Sequence, residues 1–130
     1  MRFILCLALF AGIINVEAVV ESVIESAARK EIKPLLAADI SSVEVNGQSF
    51  APDGQLIADI RNMSQPMGHH SHPIGNVQVT LNTAKGRLIL YLGRDSGDPH
   101  EYWVFYPGFG ATLSNAVGHV FTSVLDSIKV

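Results

Sequence analysis

The chain has 130 residues, 48% hydrophobic and only 16% charged, with 9 Lys and Arg against 12 Asp and Glu for a formal charge of -3. That mild acidic balance, with no basic run, argues against nucleic acid or an anionic membrane surface as partner. The length suits one domain with one core, and no linker, internal repeat or low-complexity block divides it.

Arg2 leads into an apolar run from Phe3 to Ile14, and Val16-Glu17-Ala18 has the small-residue spacing that a signal peptidase accepts. The pattern predicts a cleaved secretory leader over 1–18, followed by a single small α+β domain over 19–130, secreted or otherwise extracytoplasmic. The run is short for a bilayer span and no later window replaces it, so no membrane attachment is expected after cleavage. Cys6, the only cysteine, leaves with the leader, and with it goes any disulfide or thiolate metal site. A lipidated cysteine is rejected because Cys6 precedes most of the apolar run.

From 19 to 38, Val20, Ile24, Ala27, Ala28, Ile32, Leu35 and Leu36 recur at spacings of three and four. Glu21, Glu25, Arg29, Lys30 and Lys33 take the other side, as in an amphipathic helix. Pro34 lacks a donor and crowds the preceding turn, which predicts a kink or an end there, with a short turn over 35–39. The period then changes. Val43 and Val45 precede Asn46-Gly47, the strongest short signal for a type I′ turn, and 48–50 returns as a second strand. Pro52-Asp53-Gly54 turns again, and a third strand is expected over 56–61.

Val77, Val79 and Leu81 alternate with Gln78, Thr80 and Asn82, the pattern of a half-buried strand. Segments 87–92 and 101–106 are apolar on both faces: Leu88, Leu90 and Leu92 oppose Ile89 and Tyr91, while Tyr102, Val104 and Tyr106 oppose Trp103 and Phe105. One set should meet the helices; the other is ordinary buried core, closes against a curled part of the same sheet, lines a pocket, or forms an interface. After Pro107-Gly108-Phe109-Gly110, the stripe Leu113, Ala116, Val117, Val120, Phe121, Val124, Leu125 and Ile128 predicts a C-terminal helix over 112–128. Gly118 lies inside it and His119 on its flank. The expected fold is therefore α+β: an N-terminal helix, a mainly antiparallel sheet of five or six strands, and a C-terminal helix in a two-layer arrangement.

One segment concentrates chemistry. Between Asn62 and Pro73 lie three of the 5 histidines, His69, His70 and His72, and two of the 3 methionines, Met63 and Met67. Imidazole and thioether donors suit copper, and histidines alone suit zinc. In an extended segment His70 and His72 share a side and His69 faces away, so the chelate is built on His70 and His72. His69 joins only if the loop bends, Met63 and Met67 are accessory donors, and His100 is a ligand from a neighbouring loop. Against this stands an exposed, turn-rich loop whose histidines are merely solvated, because the spacing lacks the fixed geometry of a His-Glu-x-x-His helix. Asn62-Met63-Ser64 also fits the N-glycosylation rule, which makes Asn62 an acceptor in a eukaryotic source.

Catalytic signatures are poor. Ser71 has no evident orienting carboxylate, and Asp59, Asp95, Asp98 and Glu101 are acids without a partner that the sequence can identify. Arg61, Arg87 and Arg94 are candidates for an anionic small molecule, against the ordinary expectation of solvated charge. These residues lead to a secreted, non-enzymatic binding or protein-interaction domain. Its surface is centred on Tyr91, Trp103 and Phe105, and its occupant is a protein partner, a second copy or a small apolar ligand. The alternative is a copper or zinc carrier, or a metal-dependent enzyme, built on the His/Met segment.

Overall fold

A computed structural model describes residues 19–20, 23–66, 70–107 and 116–130; the expected leader and its cleavage site lie outside these residues. Helix α1 covers 23–37, with 19–20 also helical. The elements that follow are β1 Ile40–Val45, β2 Gln48–Phe50, α2 Gln55–Arg61, β3 Pro73–Thr83, β4 Gly86–Asp95, β5 Glu101–Phe105 and β6 Ala116–Phe121. All six strands pair antiparallel in one open sheet of order β2-β1-β3-β4-β5-β6, so the chain is a mixed α+β domain. Among the described residues no helix is long and apolar enough to cross a membrane.

The β1-β2 hairpin forms as its sequence predicts. Asn46 and Gly47 both take positive φ, 49° and 82°, the backbone that a type I′ turn requires. Asn46 also ties the turn inward, because its Oδ1 accepts the Gln78 amide at 2.9 Å and its own amide donates to the Gln78 carbonyl at 2.9 Å.

Ala28, Ile32 and Leu36, one turn apart on α1, are buried in a single cluster with Leu56, Ile57 and Ile60 of α2 and one face of the sheet. Val79, Leu81, Leu88, Leu90, Leu92 and Val104 supply much of that face. Each of the larger side chains contributes roughly 1.5–3 kcal/mol by leaving water. That burial explains why α1 runs through Pro34 to 37: the proline sits on the exposed side of the last turn, and its carbonyl still accepts the Ala38 amide at 3.2 Å.

Two expected elements are replaced. The third strand expected over 56–61 is instead α2, with Leu56, Ile57 and Ile60 buried and Gln55 bonded to Asp59 one turn on, at 2.7 Å. A spacing of one and four places those three apolar residues on a single helical face, whereas a strand would divide them between two. The expected C-terminal helix is the second correction. Residues 116–121 form β6 against β5, and 124–127 are turns; 112–115 lie outside the described residues. Ala116 through Val120 are buried without a break, so the alternation that marks a strand is lost and the apolar stripe reads as helical. The free edge of β5 decided the matter, because its N–H and C=O groups needed a partner that a helix does not offer.

Gly118 carries the packing of β6. A Cβ there would lie 2.5 Å from the Ser64 carbonyl oxygen and 2.6 Å from the Met63 sulfur, so only glycine admits the chain that leaves α2. That chain closes the sheet edge. The Ser64 amide donates to the His119 carbonyl at 2.9 Å, and the His119 amide donates back to Ser64 at 3.2 Å.

Candidate functional site

The sheet face turned away from the helices carries a second, separate apolar cluster. Trp103, Phe105 and Ala116 are buried there, and half-buried Tyr91 packs against them. Register explains the grouping. Tyr91 lies opposite Phe105, Phe105 opposite Ala116 and Trp103 opposite His119, and residues paired across antiparallel strands project to the same side. The three aromatic residues singled out in the sequence are thus neighbours. Trp103 and Phe105 retain only 5% and 4% of their surface, which leaves Tyr91 as the member that meets solvent.

Around this cluster the fold buries three ionisable side chains. Asp95, at the end of β4, accepts the Trp103 indole N–H at 2.7 Å and the Ser71 hydroxyl at 2.7 Å through one oxygen. Its other oxygen accepts the amides of Gly97 and Asp98 at 2.8 and 2.9 Å. Burial raises the pKa of this carboxyl, but the hydrogen bonds from Ser71, Trp103, Gly97 and Asp98 outweigh it and bring it from 3.8 down to about 2. Asp95 is therefore a fixed anion that orients the indole. On the far side of Trp103, His119 stacks at 4.8 Å between ring centroids with a tilt of 53°, and its Nδ1 lies 2.8 Å from Glu101 Oε1. Glu101 and His119 are 4% and 1% exposed. No signal in one sequence could have joined Ser71, Asp95, Glu101 and His119, because their proximity comes from strand register. His119 in particular was expected on a helix flank and lies instead inside the sheet.

The His/Met segment is dispersed where it is described. Ser71 turns inward to Asp95, while His70 and His72 on either side of it are exposed. His72 Nδ1 lies 3.4 Å from the Ser96 hydroxyl, and exposed His100 has its Nδ1 3.1 Å from Asp126 Oδ1. Met63 is elsewhere, packed on the main core beside Gly118. His69 and Met67 lie outside the described residues. Among the described residues no three His, Cys, Asp or Glu side chains converge on a point where a metal ion could sit. Asn62 is exposed at the C-terminal end of α2.

The arginines have structural tasks. Arg94 donates to the Tyr102 hydroxyl at 3.0 and 3.1 Å and to the carbonyls of Leu125 and Ile128 at 3.0 and 3.2 Å, which fastens the C-terminal turns to the sheet. Arg61 donates to the carbonyls of Leu36 and Ala38, at 2.8 and 3.3 Å, and so closes the end of α1. Arg87 is exposed on β4.

Fold and site together define a small α+β domain with an open antiparallel sheet, helices on its main core and an aromatic cluster on its other face. The chain matches no protein-family model, no curated protein and no solved structure.

Proposed function

We propose that this chain is an exported, non-enzymatic binding domain that associates through the outer face of its sheet, with a second copy of itself as the simplest occupant. The observation that carries this reading is the separate cluster of Trp103, Phe105 and Ala116, with half-buried Tyr91 packed on it. Ile89 is also half-buried on this face, and Phe121, which pairs with Glu101, is 50% exposed at its border. Aromatic side chains of this kind carry much of the energy of protein interfaces, and a floor locked by a hydrogen bond loses little freedom when it is covered. Association along the strand edges is less available. β2 has only three residues, and Ser64 occupies the edge of β6 at His119.

Trp103 and Phe105 are too deeply placed for truncation to separate binding from folding, so the test uses the outer members. Light scattering on the chain without its leader should give a dimer, and Tyr91→Ser/Phe121→Ser should return it to a monomer with an unchanged circular dichroism spectrum. A monomeric wild type over the whole accessible concentration range, or a dimer indifferent to the double substitution, removes this surface.

A further inference from the structure

A groove of about 420 Å³ lies between α1 and the end of α2, away from the aromatic face, and its lining is chemically divided. Ile32, Leu36 and Met63 provide apolar walls, while Arg29, Lys33 and Arg61 bring three cations, and among the described residues no carboxylate lines it. In a chain with an overall charge of -3, this is a local reversal of sign. The volume falls within the range of about 300–1,000 Å³ typical of small-molecule sites.

Two of the cations are held in place before any ligand arrives. Arg29 donates through Nε to the Val117 carbonyl at 2.7 Å and through one Nη to the Ser64 carbonyl at 2.8 Å, which pins α1 to the edge of β6. Arg61 is held by the Leu36 and Ala38 carbonyls. A guanidinium has five N–H donors, so each arginine keeps further donors while its position is fixed. Lys33 is exposed and adds a third charge on a movable stem. The neighbouring Glu31 is engaged elsewhere: it hydrogen-bonds Tyr106, whose pKa is raised by burial and by that carboxylate.

The geometry points to this groove as the binding site for a single-chain anionic amphiphile, a free fatty carboxylate. Its head group meets Lys33 and the free donors of Arg29 and Arg61, and its tail lies along Ile32, Leu36 and Met63. Charge complementarity selects the anion, and the apolar walls select a tail over a bare inorganic ion. The site is independent of the outer face, so either can stand without the other.

Dodecanoate is the probe, titrated calorimetrically into the chain without its leader, with dodecanol and dodecyltrimethylammonium as neutral and cationic counterparts of the same tail. We expect one dodecanoate per chain, bound at least about tenfold more tightly than dodecanol, and no measurable binding of the cation. Lys33→Glu reverses an exposed charge and should weaken dodecanoate several-fold. Ala37→Trp fills the groove from an exposed lining position and should abolish binding, with thermal melts confirming that both variants fold. Equal affinity for all three probes, or dodecanoate binding indifferent to Ala37→Trp, overturns the assignment. So does a wild type that ignores dodecanoate but adheres to phosphatidylglycerol vesicles, since the cations would then serve a membrane surface.

Discussion

Trp103 donates its indole N–H to Asp95 at 2.7 Å from within the sheet, and Asp95 accepts three further donors around the turn that follows β4. One carboxylate thereby holds the aromatic floor of the outer face, the inward-turned Ser71 and the loop at 96–98 together.

This arrangement predicts an acid-sensitive contribution to stability. The folded pKa of about 2 lies below the ordinary 3.8, so the ionised carboxylate stabilises the fold fully above pH 3.8, and its contribution is lost as pH falls through about 2. A shift of this size corresponds to roughly 2 kcal/mol. Asp95→Asn would place an amide NH₂ against groups that are all donors, so the variant should be less stable at neutral pH and lose part of its acid dependence. Urea unfolding at neutral pH and near pH 2 checks this, and an unchanged midpoint at both would refute it.

At Gly118 the cost is steric. Gly118→Ala should destabilise by about 1–3 kcal/mol through overpacking. Combining it with Met63→Ala should not restore stability, because the Ser64 carbonyl, 2.5 Å from the new Cβ, is backbone and cannot be trimmed. Thermal melts of the single and double variants decide; full rescue by Met63→Ala would show that the Met63 side chain alone sets the limit.

Gly47 isolates the opposite case. A Cβ there meets nothing within 4 Å, yet φ is 82°, so Gly47→Ala should cost about 1 kcal/mol from backbone strain alone. The loss should appear in denaturant midpoint with the unfolding slope unchanged. A neutral substitution would mean that the turn relaxes to another type.

For His70, His72 and His100, exposure without convergence among the described residues predicts weak and nonspecific metal uptake. Elemental analysis of untagged protein purified without added metal should find copper and zinc well below one per chain. Titration should differ little between wild type and His70→Ala/His72→Ala. Near-stoichiometric metal that vanishes in the double variant would instead establish the site that the segment suggests, with His69 or Met67 completing it.

What the sequence by itself determined was local. Asn46-Gly47 specified its turn because few residues tolerate positive φ, and the spacing of Ala28, Ile32 and Leu36 specified a helix face because only a helix aligns those positions. The alternation of Val77, Val79 and Leu81 specified a strand, and the two faces of 101–105 were legible from their composition. The helix over 55–61 was missed because a short apolar run fits either period, and the strand over 116–121 because burial on both faces erases alternation. Tertiary structure alone decided the sites. Strand register placed Trp103 beside Asp95 and His119, and the packing of α1 against the chain leaving α2 gathered Arg29, Lys33 and Arg61 on one groove. Contacts between residues so distant in sequence leave no periodicity to read, because they are set by which surfaces must leave water together.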